Sequence, residues 1–513
     1  MTRRNMCKLF LFTIIVKVVE GVNILVVFPH EGKSHFMAFQ GLFEELAKRG
    51  HNLTVISAFP KKTPIPNWRD ISILEERDHS ELIDFSVLTG TKWDRVDNQM
   101  MLARVAERTC KSGMKNENFQ NFLKENNEFD LILMEVFNTN CFMGLAKIYQ
   151  APVIGMLSAV PMPWAPLWFG SPVNPSYIPN QNLGFSDRMT FLERVANSLF
   201  FVFMKVTYDY LMAKPGNDFS KRFTGQDVLD NGDIMYNMSL MFTNSHFSLN
   251  LPKPLVPSII EIGGIHLEKP KKLPDHIAKF INESASGVVY MSLGSTLRSD
   301  SMTTEKKSAF MTAFSRLKQR VILKWESDIE DKPANVMILR WAPQLDILCD
   351  PNVKAFISHG GMGGLMEAVH CGVPVITVPQ LGDQHLNAKA LEASGGGVIL
   401  DLKSITETVL VEALNKVLSS EMEQSMKSLS ARFNDRPLSP KETAIYWIEY
   451  VIRHKGAFFM RTAAVDMPWY QQLLLDVIGF LLLIVGLVAY VFYRIGSLVF
   501  NKLFKQQIKV KKS

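Results

Sequence analysis

Two short stretches hold side chains whose types and spacing could do chemistry. In "FPHEGKSHF", Phe28 to Phe36, His30 and His35 stand five residues apart at the end of an apolar run. Imidazole changes charge near neutral pH, so either ring could take a proton from a substrate hydroxyl. In "FISHGGMGGLMEA" a strand over 354–358 runs into His359, then a glycine-rich turn, then a helix expected from about Leu365. Glycines let backbone approach a ligand closely, and a helix N-terminus points unpaired N–H groups at an anion. The combination is a phosphate cradle, and "SLGST" (292–296) offers a second turn of the same kind. "HGGMGG" lacks the "GK[ST]" ending of a P-loop and does not follow the first strand of a dinucleotide-binding unit. ATP hydrolysis and NAD chemistry are therefore not expected.

Elements must hold these groups in place. "VNILVVFP" is a short buried strand, and "SHFMAFQGLFEELAKRG" is an amphipathic helix with Phe36, Phe39, Leu42, Phe43 and Leu46 on one face. Ser34 is the expected N-cap and Gly50 the stop. That makes His35 the first helical residue, aimed into the cleft at the carboxyl end of a sheet. A helix N-terminus disfavours imidazolium and keeps a base neutral. His30, earlier in the loop, is expected to be solvated or hydrogen-bonded and to do no chemistry. "NLTVISAF", "FDLILMEVF" and "PVIGML" are further strands, and residues 160–182, rich in Pro and aromatics, form a long loop. "LPKPLVP" and "EKPKKLPDH" mark a linker, after which six more strand candidates alternate with helices, from "GVVYMSLGS" to "GGVILD". Such alternation implies parallel, doubly wound sheets. The expected fold is α/β, with two Rossmann-like domains (22–265 and 286–455) facing across a cleft and joined by 266–285. In "SPKETAIYWIEYVIRHKG", Ser439 caps a late helix, Pro440 is its first residue and Glu442 closes a capping box.

Composition narrows the partners. The chain has 513 residues, 47% hydrophobic and 21% charged, which fits a folding chain of two or three domains. The net charge of +6 is terminal: residues 1–21 carry four Lys/Arg and one Glu, and 494–513 six Lys/Arg and no acid. Between them lie 46 basic and 49 acidic residues, so the body has no basic excess for nucleic acid. "MTRRNMCKLFLFTIIVKVVEG" (1–21) reads as a cleaved signal peptide. Near the other end, 17 uncharged residues from Val477 to Tyr493 make the core of a membrane-spanning helix over 473–493, with Trp469, Tyr470, Tyr490 and Tyr493 as an aromatic belt. The basic tail 494–513 is expected in the cytosol and the body in the lumen, a single-pass type I arrangement. Lys509 and Lys511 have the spacing of an endoplasmic-reticulum retrieval signal, and Asn52, Asn237 and Asn282 head sequons that fit a lumenal glycoprotein. Cys110, Cys141, Cys349 and Cys371 show no metal or framework spacing and are expected as buried small apolar residues, with a lumenal disulfide left open.

From Trp341 the chain reads "WAPQLDILCDPNVKAFISHGGMGGLMEAVHCGVPVITVPQLGDQ". This resembles the signature of the UDP-glycosyltransferases, the family 1 inverting enzymes, whose fold type is called GT-B. "FNTNCFMGLAK" and "NPSYIPN" look most like membrane-bound invertebrate members, which take part in detoxification. The resemblance implies that Trp341 stacks on uracil and Gln344 contacts the uridine. It also implies that His359 and the N–H groups of the turn (Gly361, Gly363, Gly364) hold the pyrophosphate, with Ser295 approaching from the other side. Glu367 is implied to accept from the ribose hydroxyls, and Asp383 and Gln384 to bind those of the sugar. Family members often carry Asn or Ser where this chain has Gly363 and Gly364, and backbone donors can serve there.

The resemblance also makes His35 the general base, supported by an acid from the end of a later strand. Many members have Asp there, and this chain has Glu135; a second acid of some invertebrate members is replaced by Asn140. The expected reaction is inverting, metal-independent transfer of a hexosyl group, glucose being favoured, from a UDP-sugar to a small lipophilic hydroxyl acceptor. The UDP-sugar is a co-substrate and no cofactor is expected. The aromatic loop "PMPWAPLWFG" is expected to line the acceptor pocket. The resemblance leaves room for a homo-oligomer. Glu135 and Asn140 leave one alternative open, a UDP-sugar-binding membrane protein impaired in catalysis.

Overall fold

A computed structural model describes residues 21–73, 83–84, 94–230, 234–294 and 297–510. The leader expected over 1–21 (Gly21 apart), Ser295 and Lys511 lie outside them. The first half holds β1 (Asn23–Phe28), β2 (Asn52–Ser57), β3 (Trp68–Ser72), the short β4 (Ile83–Asp84), β5 (Leu131–Glu135), β6 (Val153–Leu157), β7 (Leu240–Thr243) and β8 (Ile259–Glu261). The second holds β9 (Val288–Ser292), the short β10 (Leu297–Arg298), β11 (Arg320–Lys324), β12 (Val336–Leu339), β13 (Val353–Ser358), β14 (Val375–Thr377) and β15 (Gly397–Ile399).

Two parallel sheets result, in the orders β3-β2-β1-β5-β6-β7-β8 and β12-β11-β9-β13-β14-β15, as the α/β expectation requires. In each, the order reverses once, between β1 and β5 and between β9 and β13. Side chains just past the carboxyl ends of those strands flank a crevice, where open α/β sheets bind ligands. The histidine loop and Glu135 follow or end β1 and β5; "SLGST" and His359 follow β9 and β13. The strand pair β4–β10 joins the two halves, with Leu297 opposite Ile83.

Burial explains why these segments are strands. β1, β5 and β6 are covered on both faces, and their side chains divide between two cores on opposite sides of the first sheet. Such strands read as continuous apolar runs, and all six candidates of the second half are strands of the second sheet. β3, β7 and β8 were not anticipated. β3 lies at an edge with Arg69 exposed, and β7 and β8 have only four and three residues. The segment 266–285 contains the helix Asp275–Asn282, whose Ile277 and Ile281 are buried in the second half's core.

Several local expectations need correction. The helix after β1 spans Lys33–Lys48 and is capped at Gly32, not Ser34, so His35 is its third residue. The phosphate-turn helix begins at Met362 rather than Leu365, which puts Gly363 and Gly364 in its first turn. The cysteines form two disulfides, Cys110–Cys141 and Cys349–Cys371, bridging 31 and 22 positions. Topology makes these pairs: the turn Asn140–Met143 after β5 lies against the long helix Asp94–Lys115, and linear spacing carries no trace of it.

The late helix Pro440–Arg453 starts as expected, with Ser439 Oγ accepting from the Glu442 N–H. The capping box is only half made, because the Glu442 carboxylate binds Arg49 at 2.7 Å. This helix packs on the first sheet, beside Lys33–Lys48, and not on the second. The final helix, Leu475–Val510, is long and apolar enough to cross a membrane over Leu475–Phe504, and none of its apolar window is buried.

Candidate active site

The β1–Lys33 loop and the end of β5 bring His30, His35 and Glu135 together. His35 Nδ1 and Glu135 Oε1 are 2.7 Å apart. Glu135 is 1% exposed, and its other oxygen accepts from the His30 backbone N–H at 3.2 Å. The His30 ring stacks on the His35 ring at 4.1 Å, and the Phe137 edge meets His35 at 4.5 Å. His30 is therefore half-buried against the pair: its backbone N–H meets the carboxylate and its ring stacks on the imidazole. The expectation of a hydrogen bond was right, since His30 Nδ1 accepts from the Gly32 N–H at 2.8 Å.

Burial sets the charges. It holds His35 below its ordinary value, at about 4, and His30 lower still, so both rings are neutral. It pushes Glu135 up to about 7, against a smaller downward pull from His30. A neutral imidazole whose Nδ1–H donates to a buried carboxylate leaves Nε2 as proton acceptor, the arrangement of a base with an orienting partner. The potential ligand atoms of these three residues lie within 4.8 Å of one another, as in a metal site. The ring planes are only 9° apart, however, so the in-plane lone pairs run side by side and do not converge. The Nδ1 atoms are also taken by Gly32 and Glu135. Asn140 stays apart: a Cβ on Gly216 would sit 3.1 Å from its Oδ1, so its amide faces the helix Lys214–Thr224.

The second sheet builds the other wall. The His359 ring lies between Gly294 and Gly361, where a Cβ on either glycine would sit 2.5 Å from a ring atom. Burial, with the nearby Lys324 charge, keeps His359 neutral at about 4, and its Nδ1 is buried without a partner among the described residues. The N–H groups of Met362, Gly363 and Gly364 open the helix and have no intrahelical acceptor. Together these make a set of donors suited to an anion.

Beneath that turn, Glu367 accepts from Gln344 Nε2 at 2.6 Å, and Gln344 Oε1 accepts from the Tyr290 hydroxyl at 3.2 Å. Gly364 is small because a Cβ there would sit 3.1 Å from Gln344 Nε2 and obstruct this bond. Burial raises Glu367 to about 7. His266 Nε2 is 3.9 Å from Glu367, and neither His266 nor Tyr290 was anticipated. A single histidine in a Pro-rich linker and a tyrosine inside an apolar strand give no pattern to find. Trp341 stands 70% exposed past the end of β12, with the ammonium of Lys33 5.5 Å above its ring. Asp383 accepts from Asn387 Nδ2 at 2.9 Å, and Gln384 Oε1 accepts from the Gln380 and Leu381 N–H groups. The Gln384 carbonyl thus closes its own loop, which leaves its NH₂ for a ligand. Ser295 lies outside the described residues.

The loop after β6 is only partly a lining. Trp164, Trp168 and Phe169 are buried in the first core. Pro161, Met162, Pro163 and Pro166 line a small apolar pocket of about 40 Å³, to which Leu386 of the helix Gln384–Ala393 also contributes.

A family model described as "UDP-glucoronosyl and UDP-glucosyl transferase" matches residues 72–510. The chain is 41% identical to UDP-glycosyltransferase UGT5 of Dactylopius coccus, over 94% of this chain and 93% of that one. It is 40% identical to UDP-glucosyltransferase 2 of the same insect, over 92% of each. To human UDP-glucuronosyltransferase 1A10 it is 31% identical, over 95% and 94%. Among solved structures, spinosyn forosaminyltransferase SpnP superposes with a TM-score of 0.58 at 16% identity, covering 85% of this chain and all 100% of that one, which shows the GT-B fold. By the extent of the family match and of these relatives, the chain belongs to the UDP-glucuronosyl and UDP-glucosyl transferase family and is a UDP-dependent glycosyltransferase.

Proposed function

We propose that the protein transfers a hexosyl group, glucose being favoured, from a UDP-sugar to a small lipophilic hydroxyl compound, with inversion and with His35 as general base. The observation that carries this is the 2.7 Å contact of His35 Nδ1 with the buried Glu135, across the crevice from the phosphate turn. As the acceptor oxygen bonds to the anomeric carbon, its proton passes to His35 Nε2. The bond from that carbon to the diphosphate oxygen breaks, and the electron pair leaves with UDP. Glu135 steadies the imidazolium through Nδ1–H, and the donors at His359 and Met362–Gly364 receive the departing charge. Trp341 would hold uracil, Glu367 the ribose, and Asp383 with the Gln384 NH₂ the sugar.

Glucose is supported by 40% identity to a relative named UDP-glucosyltransferase 2, against 31% to a human glucuronosyltransferase. A lipophilic acceptor is supported by the apolar pocket beside Leu386. Anchoring by Leu475–Phe504 with a lumenal body in the endoplasmic reticulum is supported by the apolar helix and by the exposure of all three sequon asparagines. Such an enzyme would serve detoxification.

UDP release from UDP-glucose with a panel of phenols tests the reading. His35→Ala should lose about 10²–10⁴-fold in kcat while still binding UDP. Equal turnover in both proteins would refute the base, and silence in both alongside intact UDP binding would favour a binding protein.

A further inference from the structure

The linker turn "IGGIHL", residues 262–267, is where the chain passes from one core to the other. Ile262 and Ile265 are buried in the first half's core, and Leu267 packs on the second half's. The turn is tied from both sides. The Gly263 N–H donates to the Ser245 carbonyl at 2.9 Å, and the Gly264 N–H to Asn244 Oδ1 at 3.0 Å. From the second half, Arg436 Nη1 donates to the Gly263 carbonyl at 2.6 Å. Both glycines are needed. A Cβ on Gly263 would sit 2.5 Å from the Ser245 carbonyl oxygen and 3.0 Å from the Met366 methyl, and Gly264 has a φ of +84°. A turn fixed in this way presents His266 in one place, beside the helix Met362–Cys371 that carries Glu367.

Both ring nitrogens of His266 are buried and have no hydrogen-bond partner among the described residues. Native structures rarely leave such groups unmade without a reason. Burial holds the ring neutral at about 4, against a smaller upward pull from the Gly363 backbone, which makes no well-aligned hydrogen bond with it. Nε2 is 3.9 Å from Glu367 Oε1. A closure of about 1 Å would make that a hydrogen bond. The space over Gly363 is open for it, since a Cβ there would meet only His266 Nε2, at 3.8 Å. Glu367 Oε2 already accepts from Gln344 at 2.6 Å, so Oε1 is the oxygen left to orient. Burial lifts Glu367 to about 7 despite that bond, which leaves the carboxyl group between acid and carboxylate near neutral pH. Only the carboxylate accepts at both oxygens, and a donor aimed at it favours that form.

We propose that His266 is a positioning residue for ribose recognition: when a nucleotide brings its ribose hydroxyls to Glu367, His266 Nε2–H donates to Oε1 and fixes the carboxylate as their acceptor. This role rests on the reading of Glu367 as the ribose acceptor. The nitrogens of His266 are closed to solvent, so the ring acts through Glu367 and does not touch the nucleotide. The linker thereby takes part in choosing the donor, favouring a uridine diphosphate with an intact ribose over a deoxy analogue. A site built to bond a hydroxyl leaves its own buried polar groups unpaired when that hydroxyl is missing, and discriminates accordingly.

The test uses the full chain in detergent micelles and measures the binding of UDP and of its 2′,3′-dideoxy analogue by titration calorimetry. The wild type should bind UDP more tightly, because only its ribose offers hydroxyls to Glu367. His266→Phe keeps a ring in the space without the N–H. It should weaken UDP about tenfold and leave the dideoxy analogue unchanged. His266→Gln restores an N–H at the ε position and should recover most of the gap between the two nucleotides. Equal weakening of both nucleotides in His266→Phe would make the ring a packing element and overturn the proposal, as would no weakening of either. A gap narrowed alike in both variants would overturn it too, since the N–H would then not be the cause. Glu367→Gln separates this role from the reading beneath it. A gap as wide in that variant as in the wild type would mean that no carboxylate at 367 holds the ribose, and both would fall. A gap narrowed in Glu367→Gln but not in His266→Phe would leave Glu367 its role and remove that of His266.

Discussion

At the residue scale, a base of this kind is a problem in charge placement. A buried carboxylate steadies an imidazolium, yet burial favours the protonated acid. Glu135 resolves this by accepting from His35 and from the His30 backbone at once. Its value stays raised near 7, so the carboxylate is lost as pH falls through that value, and kcat/KM should fall with it. The sign for stability is opposite. A carboxyl group with a raised folded pKa is most favourable to the fold below its ordinary value, and that contribution is lost as pH rises through about 7. Glu135→Gln should therefore abolish most turnover at pH 8 while leaving the thermal midpoint there equal or higher. A lower midpoint would mean that the carboxylate is structural. The contact of His35 with Glu135 was legible in the sequence, because the family resemblance pairs a histidine after the first strand with an acid at the end of a later one. The part of His30 was not, since it works through its backbone N–H and through ring stacking, and neither leaves a mark on residue type.

At the element scale, what the sequence revealed depended on how thoroughly a segment is buried. The central strands are apolar on both faces and were legible. β3 is half solvated and reads as loop, and the start of the Lys33–Lys48 helix was misplaced because Gly32 caps it without a side-chain bond. The disulfides were illegible for a different reason: residues 110 and 141 are brought together by the packing of the helix Asp94–Lys115 on the turn after β5. Cys110–Cys141 ties the helix Asp94–Lys115 to the turn that begins five residues after Glu135. Replacing both cysteines by Ala should cost about 2–5 kcal/mol of stability. It should also lower kcat more than UDP affinity, since the turn lies in the first half, close behind Glu135, and the phosphate turn lies in the second. Thermal melts and steady-state kinetics of the double variant check both parts. An unchanged midpoint would show that packing of Phe142 on Phe119 already holds the turn.

At the scale of the whole molecule, the two sheets do not correspond to two independent lengths of chain. The helix Pro440–Arg453 leaves the second half and returns to the first, where Ala444, Ile445, Ile448 and Val451 are fully buried against the helix that carries His35. Arg49 reaches Glu442 from that helix at 2.7 Å, and Lys441 is paired with Glu268. The amphipathic pattern announced a helix but not which domain it covers, because apolar faces are chemically alike. Burying two isoleucines and a valine contributes roughly 5–9 kcal/mol at 1.5–3 kcal/mol each, as much as the whole net stability of many domains. A chain ending at Asp435 keeps every strand of both sheets but should leave the first domain unfolded or aggregated, with the second still able to bind UDP. A chain ending at Asp466 keeps the returning helix and the turn that packs on Phe169, and should fold and turn over UDP-sugar without the apolar helix. Protease resistance of the first domain, compared between the two truncations, decides the matter. Equal resistance would show that the returning helix is a cover the first domain can do without, and that the two halves fold separately after all.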